Sequence, residues 1–444
     1  MHTSDSASRP APFPFGNQNP SASLMPEHRI EDITIDVPLV HDDPSRGTIE
    51  VFARVITAPG GEDRPFLVYL QGGPGSEAPR PAPGQPAWVA RLLEEYRVVM
   101  LDQRGTGRST PVGLDLPFPP APERTFREAI EHSADEVAEY LTHLRADEIV
   151  NDAEAIRRHL GAEQISTLGQ SFGGFTTLAY LSAHPESLRE VLITGGLAAV
   201  GRHSDEVYAE TWRIMREKSE AFYRRFPHAR DRIRELMGLA DRGEIRLPNG
   251  DAVTPARLRT LGHRLGSDDG FVALHNLLEL DHRAPAFQHD LAALLPFTGR
   301  NPLYAVIHES CQADGIVTDW SAERTMPQDF HEDPTLLGGE HVHRSLFDED
   351  SELAPWKPVA EILAGHQWGR VYDEDALRSA GVPGAAAVYF HDAFVPSVFS
   401  LETAALMPQV APFVTSEYEH SGLRSSGDAV ISHLIDLVKG RRVR

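Results

Sequence analysis

Apolar and polar residues fall into two kinds of short run near the start of the chain. Residues 33–39 and 49–56 alternate with a period of two, which is typical of half-buried antiparallel strands. Residues 66–70 and 97–101 are continuous apolar runs, which indicate strands covered on both faces. These segments predict a sheet whose outer strands face solvent and whose inner strands do not.

Helical spacing appears between and after these strands, at residues 88–95 and 146–160. Further elements continue the pattern: strands at 165–168, 190–194, 385–390 and 411–415, and a helix at 427–439. Alternating strands and helices build a mostly parallel sheet with helices on both faces. The sequence therefore predicts the α/β class.

The alternation is interrupted between two core strands. Residues 198–383 are helical and polar, with helical stretches at 206–226 and 256–280. Insertions are tolerated at strand ends, where they can cover a site. We therefore expect a flexible lead at 1–28, an α/β domain formed by 29–197 and 384–444, and a helical cap domain at 198–383.

Composition narrows the function classes. The chain is 41% apolar and 24% charged, as in ordinary globular proteins, and its formal net charge is 42 − 65 = −23. That charge argues against nucleic acid or an anionic membrane surface as a partner. The single cysteine, Cys311, excludes an internal disulfide, and no apolar run reaches the roughly 18 residues of a membrane span. We expect a cytoplasmic protein in which Cys311 is an inert packed side chain and not a nucleophile.

The segment around Ser171 carries the main candidate chemistry. Gly169-Gln-Ser-Phe-Gly173 follows an apolar strand and precedes a helix, the strand–turn–helix context of a nucleophile elbow. The glycines leave room for a sharp turn that holds Ser171 in a strained conformation. Such a turn exposes the Ser171 hydroxyl and directs the Phe172 N–H to where an oxyanion would form.

A second loop supplies the other candidate oxyanion donor. Gln71-Gly-Gly-Pro-Gly75 follows the strand at 66–70. A carbonyl under attack needs two N–H donors, one after the nucleophile and one from the loop after the third strand. Gly73 is the candidate for the second donor, because glycine lets the backbone approach the substrate.

Three segments together resemble one known family. Residues 71–75, 102–109 and 169–174 are similar to the motifs of the prolyl aminopeptidase (proline iminopeptidase) family of α/β-hydrolase serine peptidases, in its larger bacterial branch. Gln71 departs from the histidine of many members, which leaves the backbone role of the loop intact. The resemblance spans about residues 30–197 and 384–440. It implies an α/β-hydrolase fold, with a mostly parallel eight-stranded sheet and a large inserted helical cap.

The acid and the base follow from chain order. In this fold the order is Ser, acid, His, so Asp102, which precedes Ser171, is assigned with Arg104 to a structural loop network. Asp392 follows the strand at 385–390, and His420 follows the last strand. The resemblance implies the same pair, with His391 as the rival base.

The expected substrate is a small peptide with an N-terminal proline, released through an acyl-enzyme. In the resembled family two cap glutamates hold the substrate amine, and Glu309 and Glu340 match them here. Two solvated glutamates are the alternative. A metal site at Glu340-His-Val-His343 lacks further ligands at recognisable spacing, so neither a metal nor a cofactor is expected.

Two other functions remain open at this stage. One is an esterase or amidase, because a Ser–Asp–His set does not fix the acyl group. The other is a non-catalytic binding protein on the same fold. Such a protein would be expected to lack one of the three residues, whereas this chain has candidates for all three.

Overall fold

The computed structural model of the protein describes residues 25–82 and 86–443. An eight-stranded sheet lies at its centre. Its strands are β1 (Arg29–Pro38), β2 (Thr48–Thr57), β3 (Phe66–Leu70), β4 (Arg97–Leu101), β5 (Ile165–Gln170), β6 (Leu188–Thr194), β7 (Gly384–Tyr389) and β8 (Val410–Thr415). Each of the strands expected from the apolar runs is present.

The strands lie in the order β1-β2-β4-β3-β5-β6-β7-β8. β2 runs antiparallel to both β1 and β4. Every other neighbouring pair is parallel. The predicted α/β-hydrolase fold with its mostly parallel sheet is confirmed.

Helices connect the strands and form the insertion. They are α1 (Ala87–Leu93), α2 (Phe126–His132), α3 (Ala134–Thr142), α4 (Ala146–His159), α5 (Phe172–Ala183), α6 (Ser204–Arg225), α7 (Pro227–Asp241), α8 (Pro255–Arg259), α9 (Gly270–Leu278), α10 (Pro285–Leu294), α11 (Pro302–Val306), α12 (Ser321–Arg324), α13 (Gln328–Glu332), α14 (Leu346–Glu349), α15 (Lys357–Ala364), α16 (Glu374–Ser379), α17 (Ser397–Leu406), α18 (Gly422–Ser425) and α19 (Ala429–Val438). No helix of the described residues has the length and apolarity that crossing a bilayer requires.

The continuous apolar run of β3 is explained by the helices that cover both of its faces. Val68 and Leu70 lie in the hydrophobic cluster that includes α4 and α5. Leu67 and Tyr69 lie in a second cluster, with α1 and α19. Because successive side chains of a strand point to opposite faces, both sets of positions must be apolar.

The insertion between β6 and β7 carries helices α6 to α16. The helix expected at 206–226 is α6. The one expected at 256–280 is divided into α8, a 3-10 helix at Thr260–Gly266, and α9. Gly266 ends the 3-10 segment. A side chain there would lie 2.2 Å from the Phe394 ring, so the helix break packs closely on the sheet domain.

Of the expected N-terminal lead, residues 1–24 lie outside the described residues. Residues 25–28 form a turn in which Met25 is buried, in the same hydrophobic cluster as α1.

Candidate active site

Ser171 lies at the turn between β5 and α5 and has φ 54° and ψ −124°. A positive φ is uncommon for a residue other than glycine and costs about 1–3 kcal/mol. The turn is fixed because the Ser171 N–H donates to the Thr194 carbonyl at 3.0 Å, and its own carbonyl accepts from the Gly174 N–H at 2.7 Å. The elbow predicted from the sequence therefore has the strained backbone that such a turn requires.

The two motif glycines are required by close approach of backbone. A Cβ on Gly169 would lie 2.3 Å from the Gly173 carbonyl oxygen. One on Gly173 would lie 1.9 Å from the Leu70 carbonyl oxygen of β3. Neither position has room for a methyl group, so the helix start and the sheet can meet only through glycine.

Asp392 and His420 form a buried hydrogen-bonded pair. His420 Nδ1 donates to Asp392 Oδ2 at 2.7 Å. Asp392 Oδ1 accepts from the backbone N–H groups of Phe394 and Val395, at 2.9 and 3.0 Å. These donors fix the carboxylate, which in turn fixes the imidazole tautomer with the proton on Nδ1.

The electrostatics of His420 follow from that contact. Burial lowers the pKa of the imidazole, but attraction to Asp392, the hydrogen bond to it and attraction to Glu340 together raise the pKa by more. The net effect is a pKa above the ordinary value for histidine. His420 is also held from its backbone, since its N–H donates to the Gly266 carbonyl at 3.1 Å.

The rival residues occupy other surroundings. His391 is exposed and its ring meets Phe390. Asp102 is buried and accepts from the N–H groups of Ala78 and Arg108, at 3.1 and 2.9 Å. Arg104 binds Asp152 at 2.6 and 2.7 Å. The ring of His391 is therefore exposed, whereas Asp102 and Arg104 bind other loop residues and helix α4.

Ser171 and His420 share a pocket of about 200 Å³. Its lining residues are Gln71, Gly72, Gly73, Ser76, Gln170, Ser171, His263, Arg264, Gly266, Ser267, Tyr304, Glu340, Phe394, His420, Ser421 and Arg424. The expected site residues Ser171, His420, Gly73 and Glu340 are thus brought together. A pocket of about 300 Å³ elsewhere, near Met25 and α1, contains none of the expected site residues.

The candidate oxyanion donors flank Ser171. Phe172 is the first residue of α5, and Gly73 follows β3 with φ 131°. Among the residues that the structure describes, neither backbone N–H has a hydrogen-bond acceptor. The first N–H groups of a helix are unsatisfied by construction, so both donors are available to a substrate oxygen.

Glu340 lies in the pocket among side chains that the sequence did not single out. The Tyr304 hydroxyl donates to Glu340 Oε1. His263 Nε2 and His308 Nε2 lie 3.8 and 3.9 Å from its carboxylate oxygens. Burial disfavours the charged form, but the nearby imidazoles of His263 and His308 favour it by more and hold the pKa of Glu340 at about 2. Glu340 is therefore an anion at neutral pH.

Glu309 is buried and does not line that pocket. Its Oε1 accepts from the Ala322 N–H at 2.8 Å, while Oε2 has no hydrogen-bond partner among the described residues. Burial raises its pKa. The Tyr208 hydroxyl, also without a partner there, has its pKa raised by burial and by the charges of Glu309 and Glu340. The two glutamates thus flank a buried hydroxyl.

The pair His341 and His343 does not form part of a metal cluster. His341 stacks on Trp212 with ring centres 3.6 Å apart, and its Nε2 shares a hydrogen bond with Thr211 at 2.9 Å. Across residues 25–82 and 86–443, no group of three or more metal-binding side chains is found. Burial raises the pKa of the Cys311 thiol, the opposite of what a thiolate nucleophile requires.

Known proteins resemble this chain along most of its length. It matches the alpha/beta hydrolase fold family over residues 65–242. It is 40% identical to the proline iminopeptidase of Aeromonas sobria, over 90% of this chain and 94% of that protein. It is 30% identical to proline iminopeptidase aneH of Aspergillus aculeatus, over 96% of each. The tripeptidyl aminopeptidase of Streptomyces lividans is 26% identical over 29% of this chain and 27% of its own length.

The strand order, the strained serine turn and the family match define an α/β-hydrolase. Within that class, the identity to the first two relatives extends over the insertion as well as the sheet domain. The chain belongs to the proline iminopeptidase family, as predicted from its motifs, and is an α/β-hydrolase peptidase.

Proposed function

We propose that the protein releases N-terminal proline from peptides through an acyl-enzyme formed on Ser171. One observation carries the proposal. A serine on a strained turn shares a pocket with a histidine bonded to a buried aspartate, and an ionised glutamate lines the same pocket.

The chemistry follows from the positions of the three residues. His420 Nδ1 is bonded to Asp392, so Nε2 accepts the proton as the Ser171 oxygen attacks the prolyl carbonyl carbon. The N–H groups of Phe172 and Gly73 stabilise the resulting oxyanion. His420 then donates the proton to the leaving amine as the peptide bond breaks. Water, deprotonated by the same nitrogen, releases proline from the serine ester.

The substrate amine is bound by glutamate. Glu340 is an anion in the Ser171 pocket, held by Tyr304 and His263. Glu309 lines a separate, smaller cavity, and it is the second candidate because its Oε2 and the Tyr208 hydroxyl lack partners among the described residues. Buried polar atoms without partners are rare, and a cationic amine would satisfy them. An esterase or amidase with another acyl group has no need of these charges.

The test compares two substrates in Glu340→Gln and Glu309→Gln. A charge-assisted hydrogen bond is worth roughly 1.5–3 kcal/mol, so each variant should lose about ten- to a hundredfold in kcat/KM on prolyl-naphthylamide. An acetate ester has no amine, so its hydrolysis should barely change. Equal losses on both substrates would contradict the amine-binding role. If Glu340→Gln loses activity on prolyl-naphthylamide and Glu309→Gln does not, the substrate amine is bound by Glu340 and not by Glu309.

A substrate panel separates the proposed function from its alternatives. Prolyl-naphthylamide should be hydrolysed in preference to other aminoacyl-naphthylamides and simple esters. Preference for an ester would favour the esterase reading, and no hydrolysis of any substrate would favour a binding protein. We also place the protein in the cytoplasm, because its one cysteine gives no reason for an oxidising compartment.

A further inference from the structure

Two arginines line the Ser171 pocket, and neither is neutralised by a hydrogen-bonded carboxylate. The nearest carboxylate oxygen to the Arg264 guanidinium, Asp269 Oδ1, lies 3.7 Å from Nη2, beyond hydrogen-bond distance. In the part of the chain that the structure describes, no carboxylate lies within 4 Å of the Arg424 guanidinium. Arg264 Nε is buried and has no hydrogen-bond partner there. By contrast, Arg104 binds both oxygens of Asp152.

The two arginines belong to adjoining loops beside the catalytic histidine. Arg264 lies in the 3-10 segment whose last residue, Gly266, accepts a hydrogen bond from the His420 N–H at 3.1 Å. Arg424 lies in α18, just after His420, and its charge lowers the pKa of that imidazole. Ser421 Oγ joins the loops, since it accepts from the Asp268 N–H at 3.1 Å. The two arginines therefore lie on loops that adjoin His420 and line the same pocket.

The nearby acidic groups are occupied elsewhere. Asp268 Oδ2 accepts from the Ser421 and Ser425 hydroxyls, at 2.6 Å each. Glu419 binds Lys218 of α6. These carboxylates reduce the positive potential but leave the guanidinium donors of Arg264 and Arg424 unused. Arg264 is half-buried and Arg424 is exposed at the pocket rim, and unused guanidinium donors that line a pocket are suited to an anion.

Resting on the proposed function, we infer that Arg264 and Arg424 bind the C-terminal carboxylate of the substrate, so that the preferred substrates are peptides of two or three residues. The pocket then holds both ends of a short zwitterion, with the amine at Glu340 and the carboxylate at the arginines. A guanidinium presents a fork of donors that matches a carboxylate. The pocket volume of about 200 Å³ is below the roughly 300 Å³ at which pockets for larger ligands begin.

The experiment compares Pro-Gly, Pro-Gly amide and a proline-initiated pentapeptide. The amide differs from Pro-Gly only by loss of the terminal charge. We expect kcat/KM for Pro-Gly to exceed that for the amide by roughly ten- to a hundredfold, the range of a charge-assisted hydrogen bond. The pentapeptide should also be poorer than Pro-Gly, since its carboxylate would extend past the arginines. Rates are compared on the alkaline plateau, where His420 is neutral in every variant.

Arg424→Gln and Arg264→Gln should each move the acid-to-amide ratio towards one, and the double variant should abolish the preference. The readout is the ratio of kcat/KM for Pro-Gly to that for Pro-Gly amide. A general effect on Ser171, Asp392 and His420 changes both values equally and leaves this ratio unchanged. Arg424→Lys, which keeps the charge, should retain part of the preference. Arg283→Gln is the matched control: Arg283 is exposed, bound to Asp281 and outside the pocket, so its ratio should equal that of the wild type.

Two results would overturn the inference with the proposed function intact. One is a wild-type acid-to-amide ratio near one together with rapid hydrolysis of prolyl-naphthylamide. The other is a ratio that survives in the folded double variant. Failure to release proline from every substrate, the naphthylamide included, would instead refute the proposed function, and the inference with it.

Discussion

Ser171 is the residue whose backbone carries the most direct sign of function. Its positive φ costs free energy, and the surrounding hydrogen bonds to Thr194 and Gly174 hold it there. Alanine accepts the same φ and ψ as serine, since both have a Cβ. The conformation therefore depends on the neighbouring chain and not on the hydroxyl.

Ser171→Ala should therefore keep the thermal midpoint of the wild type and lose several orders of magnitude in turnover of prolyl-naphthylamide, as losses of a catalytic serine do. Thermal unfolding measures the midpoint, and steady-state kinetics measure the turnover. A serine-directed fluorophosphonate should label the wild type and not the variant. Activity above about a tenth of the wild-type value would remove Ser171 as the nucleophile, given the size of such effects.

The proposed role of His420 as the base predicts a pH dependence. A base must be neutral to accept a proton, so kcat/KM should fall as pH drops through the pKa of His420. Burial lowers that pKa, but Asp392 and Glu340 together raise it by more, so the acidic limb of the pH–rate profile should lie above the ordinary histidine value of about 6.5. Asp392→Asn removes the charge and leaves the burial, so the limb of its residual activity should move to lower pH. His391→Ala is the control and should leave the limb in place.

A limb that stays in place in Asp392→Asn would show that another group controls the acidic side. A limb moved by His391→Ala would exchange the roles of the two histidines. Because His391 is exposed and its ring contacts Phe390, we expect its replacement to leave the acidic limb unchanged.

At the scale of elements, the meeting of β3, β5 and α5 depends on the absence of side chains. Gly173→Ala places a methyl carbon 1.9 Å from the Leu70 carbonyl oxygen, and backbone in a central strand has little freedom to move. The loss in free energy of unfolding should exceed the roughly 1–3 kcal/mol of ordinary overpacking. Gly369→Ala is the control, since no atom lies within 4 Å of its added carbon and its φ is not positive.

Denaturant unfolding of both variants measures the difference. Equal stability of Gly173→Ala and the wild type would mean that the helix start can shift away from β3. The expectation is a large loss for Gly173→Ala and a change within about 1 kcal/mol for Gly369→Ala, as for other substitutions away from packed features.

The elements that the sequence predicted best are those with local signals. Continuous apolar runs identified β3 and β4 with their observed ends, and the motif around Ser171 identified the turn. The prediction of one continuous helix at 256–280 was wrong, because the structure divides this range into three shorter helices. The interruption coincides with the close approach of Gly266 to Phe394, more than a hundred residues away, and no local pattern contains that contact.

Local sequence patterns also failed to predict several residues of the Ser171 pocket. Glu340 was found through its resemblance to a family position, whereas Tyr304, His263 and the two pocket arginines were not singled out. Tyr304 lies close to Glu309 in the sequence, but only the fold shows that the Tyr304 hydroxyl reaches Glu340. Distant contacts of this kind are set by tertiary packing, which sequence periodicity does not record.

At the scale of the whole molecule, the insertion completes the site instead of only covering it. Residues 198–383 supply His263, Arg264, Tyr304 and Glu340 to a pocket whose serine and histidine come from the sheet domain. Arg145 of the sheet domain joins the insertion, since its guanidinium donates to the Ala313 carbonyl at 2.5 Å and lies 4.8 Å from the Trp368 ring. The alignment of substrate with Ser171 therefore depends on contacts between the two parts of the chain.

An ion pair close to the proposed active site joins Lys218 of α6 to Glu419, the neighbour of His420. Lys218 is 7% exposed and Glu419 is 25% exposed. Burial raises the pKa of Glu419, and Lys218 lowers it by less. Lys218→Met leaves that carboxylate without its cation, so the loss of stability should lie between the roughly 1 kcal/mol of an exposed pair and the 3–5 kcal/mol of a buried one.

The sign of the pH dependence distinguishes this effect from lost packing. A carboxyl group whose pKa is raised in the folded state is tolerated when protonated and destabilises as pH rises through that pKa. The thermal midpoint of Lys218→Met should therefore fall further below the wild type at pH 8 than at pH 5. Glu419→Gln in the same chain removes the unpaired charge and should recover part of the lost stability at pH 8. A deficit equal at both pH values, and unchanged in the double variant, would show that Lys218 stabilises α6 through its aliphatic stem and not through its charge.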